Sequence, residues 1–276
     1  MVDSVALVRC EGDFGKALKK GVDLIGGLGA LKSPCIIKPN ICEGEDKTGF
    51  AVTNVKVVQA LTDLILKKDG SLPIKIVESD SAAKFADEAF EALGYVRLEE
   101  QMKKLGFDVS LVNLSHPPMT QTKLDGLYFR DLELATVVTK PSFFVSVAVA
   151  KTHGLSFITG TLKNMFGLLP RKNKPYYHPR INDVIVDLNR VVKSDLCIVD
   201  ARVGLEGWDG PITRSLNAII VGKNPVSVDS TMARIMGFNP EKIKHLIESE
   251  KFGLGTINPT VLGDSVDSIK VQFNPP

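Results

Sequence analysis

Five apolar runs in this 276-residue chain each end in a polar side chain and then turn. Ile36-Ile37 leads to Lys38-Pro39-Asn40, Ile76-Val77 to Glu78-Ser79-Asp80, and Val147–Ala150 to Lys151-Thr152-His153-Gly154. Ile198-Val199 leads to Asp200, and Ile219–Val221 to Gly222-Lys223-Asn224-Pro225. Lysine neutralises a carboxylate or phosphate, histidine moves a proton near neutral pH, and a carboxylate orients it. If the runs are parallel strands, ligands bind beyond their carboxyl ends. Lys38, Asn40, Glu78, Lys151, His153 and Asp200 would then share one rim. The expected chemistry is acid/base work by His153, Lys151 and Glu78 on a small anionic metabolite.

Thr159-Gly160-Thr161-Leu162-Lys163-Asn164 adds a second signal. Threonine and glycine before a short helix can present hydroxyls and free N–H groups to an anion. Lys163 opens a stretch to Arg180 with five cationic residues and no acidic one, and His178 lies within it. The segment is not a Walker loop, because GxxxxGK[ST] is absent. Gly26-Gly27-Leu28-Gly29 follows a helical pattern, so it is a turn and not a dinucleotide fingerprint. A third stretch, Asp200 to Pro211, holds Glu206-Gly207 and three glycines, and reads as a loop close to a ligand. His153 follows a buried run, so it is expected to transfer protons; His178, between prolines, is expected to bind. The lone tryptophan, Trp208, lines a pocket or fills core.

These residues need a scaffold. Strands are expected at Ser4–Val8, Cys35–Ile37, Ile74–Val77, Val109–Val112, Phe143–Val149, Leu196–Val199 and Ala218–Val221. Helical periodicity falls between them, near 13–28, 54–68, 82–93, 98–105, 159–168, 181–192, 225–236 and 240–250. Asp125-Gly126 signals a small antiparallel hairpin. Ile269–Phe273 reads as an edge strand. The alternation predicts an α/β fold: a mostly parallel sheet flanked by helices, as a single domain over 1–276 with the cleft between two lobes.

Composition narrows the partners. Thirty-four basic against 32 acidic residues give a formal charge of +2, which supplies no field for nucleic acid. No 18-residue apolar run exists and the N-terminus lacks a signal pattern, so a cytoplasmic, membrane-free protein is expected. Cys10, Cys35, Cys42 and Cys197 are scattered without CxxC, against a zinc ribbon or disulfide scaffold.

The same pieces resemble the domain-of-unknown-function family 362 across nearly the whole chain. They are Lys38-Pro39-Asn40, Glu78-Ser79, Lys151-Thr152-His153, Thr159 to Gly167, His178, Asp187-Leu188, Asp200 with Glu206-Gly207 and Gly210-Pro211, and Gly222 to Asp229. The resemblance implies a mainly prokaryotic, cytoplasmic protein and supplies no reaction. Many members carry a ferredoxin-type cysteine segment; this chain does not, so no iron–sulfur cluster is expected in it. Two alternatives accompany the enzyme reading. One is a carrier of a divalent metal or cofactor, with Glu78, His153, His178 and Asp200 as ligands. The other is a subunit serving a ferredoxin-like partner. The sequence does not give the oligomer.

Overall fold

The computed structural model describes residues 3–276; residues 1–2 of the span assigned above lie outside the described residues. The chain opens with β1 (Ser4–Arg9), α1 (Phe14–Leu24), β2 (Cys35–Pro39), α2 (Val55–Lys68) and β3 (Ile74–Glu78). Helices α3 (Ala86–Ala92) and α4 (Tyr95–Lys104) lead to β4 (Val109–Asn113). An antiparallel pair, β5 (Met119–Lys123) and β6 (Asp131–Ala135), precedes α5 (Thr136–Thr139), β7 (Phe143–His153) and β8 (Phe157–Thr159). The short α6 (Thr161–Asn164) runs into 3-10 turns at Met165–Leu168 and Lys174–Arg180, then α7 (Ile181–Val191). The hairpin β9 (Leu196–Glu206) and β10 (Ile212–Gly222) is followed by α8 (Pro225–Ile235), α9 (Lys244–Lys251), β11 (Thr260–Gly263) and α10 (Val266–Ile269).

One sheet runs β11-β1-β10-β9-β7-β2-β3-β4, with β8 folded back on the end of β7. Only β10 and β8 run against their neighbours, so the sheet is mostly parallel. Its central strands are buried on both faces, which is why they read as continuous apolar runs. Ile37, Ile76 and Ile198 pack toward α1, α2 and α4 against Leu18, Leu61 and Tyr95. Ile36, Val77 and Val199 pack oppositely, toward α7, α8 and α9 against Ile185, Met232 and Leu246. The α1 and α2 starts are capped by Asp13 and Asn54, whose side chains accept from Lys16 N at 3.1 Å and Lys56 N at 2.9 Å.

Four expectations need correction. The antiparallel hairpin expected at Asp125-Gly126 is present, but its connection is a loop over residues 124–130 and not a tight turn. Buried Asp187 organises that loop, accepting from Leu127 N, Tyr128 N and Phe129 N at 2.8–3.0 Å. Asp187→Ala should therefore cost about 2–4 kcal/mol, since orphaned donors carry their desolvation penalty. Limited proteolysis should newly cut within 124–130; unchanged protection would show that the loop holds itself. Second, Ile269–Phe273 is no strand. Val271 N and Phe273 N instead donate to Ile235 O and Met236 O at the end of α8. The edge strand is β11, which the sequence reading missed. Third, the glycine-bearing segment after Asp200 continues as strand to Glu206, so the loop is confined to residues 207–211. Fourth, the helix expected over 159–168 is only α6 plus a 3-10 turn.

Candidate functional site

Strands β2, β3 and β7 are parallel neighbours, and their carboxyl ends open on one cleft of about 450 Å³. That volume suits a small metabolite. Lys38 and Glu78 form its floor. Lys38 Nζ donates to Glu78 Oε2 at 2.6 Å and to Pro39 O at 2.6 Å, and both side chains are 1–2 % exposed. Lys84 Nζ stands 3.6 Å from Glu78 Oε1 and donates to Ser79 O. Lys174 Nζ donates to Ser79 Oγ at 2.7 Å and Leu169 O at 2.8 Å. Burial alone would raise the Glu78 carboxyl, but Lys38, Lys84 and Lys174 together hold it below the usual range. Burial pushes Lys174 down to about 7, with Lys84 and Lys38 adding to the fall. Gly167 passes so close that a Cβ there would stand 2.7–2.8 Å from Lys38 and Glu78 atoms. The floor and the 3-10 turn carrying Phe166 are therefore in direct contact.

The walls come from the end of β7 and its return. Lys151 Nζ donates to Ala51 O at 2.7 Å and lies 3.5 Å from Cys42 Sγ. Lys163 reaches the cleft from α6, 5.6 Å from the Phe166 ring centroid. His178 stacks on the same ring at 6.1 Å. Leu155, Pro175 and Trp208 complete an apolar rim. His153 Nδ1 accepts from Leu155 N at 3.1 Å and Ser156 N at 3.4 Å, so the neutral ring carries its proton on Nε2. Burial, then Lys163, His178 and Lys151, push His153 down to about 3. His178 is lowered by burial and by Lys163.

The cleft brings together Lys38, Asn40, Glu78, Lys151, His153, Thr159, Lys163, Asn164 and His178. Asn164 works largely as a clamp, with Nδ2 donating to Lys38 O at 2.9 Å and Ser146 Oγ at 3.0 Å. Five candidate residues lie outside the cleft. Asp200 stands at the same sheet edge but outside this cleft, in a bidentate pair with Arg202 at 2.7–2.9 Å. Glu206 pairs with Arg214 at 2.8 Å and accepts from Asn274. Gly207 N donates to Thr152 Oγ1 at 2.7 Å, bracing the β9–β10 turn. Thr161 presents the expected donors, but an internal carboxylate takes them, and Gly160 packs against that carboxylate. Asp229 accepts from Thr161 N and Oγ1 at 2.7 Å and Leu162 N at 2.9 Å, and a Cβ on Gly160 would lie 2.5 Å from it. The α6 N-terminus is thus filled from inside, while Lys163 of that helix reaches the cleft. Lys84 escaped the sequence reading because no periodicity marks it; Lys174 lay unresolved within the basic stretch.

Residues 35–234 match the family described as "Domain of unknown function (DUF362)". The chain belongs to the DUF362 family. Every cleft-lining residue named above, from Lys38 to Trp208, falls inside the DUF362 match. The chain is also similar to a thylakoid-associated protein of Synechocystis sp., 25% identical over 278 residues, covering 94% of this DUF362 chain and 82% of that protein. Among the described residues, no helix is long and apolar enough to cross a membrane. Nor do three or more His, Cys, Asp or Glu side chains gather among them in a metal-holding group. Glu78, His153, His178 and Asp200, considered above as a ligand set, are not assembled, since Asp200 faces a separate pocket.

Proposed function

We propose that this DUF362 protein is an enzyme acting on a small metabolite with carboxylate or phosphate groups, bound in the cleft beyond β2, β3 and β7. One observation carries the reading. Five lysines (Lys38, Lys84, Lys151, Lys163 and Lys174) line the cleft, and Glu78 is the one acidic side chain among its described lining. A cavity with that excess of ammonium groups attracts anions and repels cations. It therefore also disfavours the divalent-metal carrier. The rim of Leu155, Phe166 and Trp208 suits an apolar portion of the ligand. His153, neutral with its proton on Nε2, donates a hydrogen bond to the bound anion. Proton transfer passes to His178, which lacks the backbone partners that tie His153 down.

The expected result is a thermal stabilisation that grows from phosphate to citrate to pyrophosphate. Lys163→Met should weaken binding by about 10–150-fold, the worth of one charge-assisted hydrogen bond at about 1.5–3 kcal/mol. Affinity should also fall as pH rises from 7 to 9. Lys174 at about 7 and Lys163 at about 8 lose their protons across that window, and an anion favours the protonated forms. Calorimetry should show proton uptake on binding. A protein that binds none of these anions at millimolar concentration would end the reading.

A further inference from the structure

Lys163 differs from the other lysines of the cleft. Lys38, Lys84, Lys151 and Lys174 each spend their ammonium on a carboxylate, a carbonyl or a hydroxyl. Lys163 Nζ has no hydrogen-bond or ion-pair partner among the described residues, and it stands over the Phe166 ring, 5.6 Å from its centroid. Its backbone, by contrast, is tied down on both sides. Both flanks of Lys163 are fixed to distant parts of the sheet and helices. Thr161 and Leu162 hang on Asp229 of α8, Asn189 Nδ2 donates to Leu162 O at 3.0 Å, and Asn164 is bonded to Lys38 O and Ser146 Oγ. A side chain on a rigid mount with a free reactive end meets the positional demand on a nucleophile.

Thr159 Oγ1 and Asn40 Oδ1 are buried, line the same cavity and have no hydrogen-bond partner. Buried polar atoms of that kind require a partner, which a polar ligand would supply. Burial, with Lys151 adding to it, pushes Lys163 down to about 8, so a useful fraction is free amine near neutral pH.

We propose that Lys163 is an amine nucleophile that forms an imine with the carbonyl carbon of a small oxo-acid or keto-phosphate. This rests on the anion-binding reading above and names the substrate class for the same cleft. The neutral amine adds its lone pair to the carbonyl carbon, and the carbonyl π pair moves to oxygen, which takes a proton. The carbinolamine oxygen takes a second proton and leaves as water while the nitrogen lone pair forms the C=N bond, and the nitrogen gives up two protons in all, matching the two that the oxygen takes. His178, stacked on the same Phe166 ring, carries the protons between nitrogen and oxygen. The neighbouring lysines hold the anionic group. No oxidant or reductant is consumed.

The test incubates the full chain with pyruvate, 2-oxoglutarate or dihydroxyacetone phosphate and cyanoborohydride, followed by intact-mass and peptide mapping. The expected result is one reduced adduct, on Lys163, with at least one probe. Its rate should rise about tenfold from pH 7 to 9 as the amine deprotonates, opposite in sign to simple anion binding. Lys163→Arg should abolish the adduct yet keep pyrophosphate stabilisation, because a guanidinium still binds anions. Lys104→Arg, an exposed position at the end of α4 and outside the cleft, should leave the Lys163 adduct in place. No adduct with any probe, or adducts spread evenly over surface lysines, would overturn the inference while pyrophosphate stabilisation leaves the anion reading standing. A wild-type protein that pyrophosphate fails to stabilise would bring down both.

Discussion

Glu78→Gln should destabilise the protein by about 3–5 kcal/mol, the usual cost of removing one member of a buried ion pair. The carboxylate faces Lys38 at 2.6 Å and Lys84 at 3.6 Å, and all three side chains are nearly inaccessible. Removing its charge leaves ammonium groups buried without compensation. Denaturant titration at pH 7 measures the loss. Lys38→Met added to Glu78→Gln should recover part of it, because the orphaned charge goes too. The wild-type pH profile carries the same information. A depressed carboxyl stabilises the fold above its unfolded value, near 4.3, and that contribution disappears as pH falls through the lower folded value. The acid limb of the wild-type curve should therefore be missing from Glu78→Gln. A loss under about 1 kcal/mol would mean that water, rather than Glu78, compensates the lysines.

Asp229→Ala should rank beside it, at about 3–5 kcal/mol, because three donors lose their shared acceptor inside the core. The pH signature has the opposite sign. Burial pushes Asp229 up to about 6 despite those donors. A raised folded value contributes stability that is complete below the unfolded value near 3.9 and lost as pH rises through about 6. Asp229→Ala should flatten the curve over that window. Formate should partly restore the variant, since the emptied space keeps Thr161 N, Thr161 Oγ1 and Leu162 N aimed at an anion. No formate effect, together with a stability close to wild type, would show that the α6 turn does not depend on this carboxylate.

The two carboxylates also mark where sequence reading succeeds and stops. Continuous apolar runs reveal β2, β3, β7 and the sheet class, because strands buried on both faces need them. The polar residues that end those runs led to Lys38, Glu78, Lys151 and His153. Asp200 follows its run equally well, but it shares a strand face with Arg202, two residues on, and pairs with it in a pocket separate from the cleft. Thr159 to Asn164 has the composition of an anion loop, and it does bind an anion: Asp229, 68 residues from Thr161. Nothing local to either segment declares that pairing. Lys84 and Lys174 reach Glu78 and Ser79 from turns that have no periodicity to read. The β11 edge and the packed C-terminal tail differ only in which backbone they meet, β1 in one case and the end of α8 in the other.

Trp208 sits on the β9–β10 turn at the cleft mouth, 43% exposed, and it is the sole tryptophan of the chain. Its emission therefore has one origin, beside the binding space. Indole light responds to local water and to nearby charge, so filling or emptying the cavity changes the signal without any label. The fold carries a built-in optical gauge of its own occupancy, with no background from other indoles. Ligand chemistries can be sorted in a cuvette before any turnover is known.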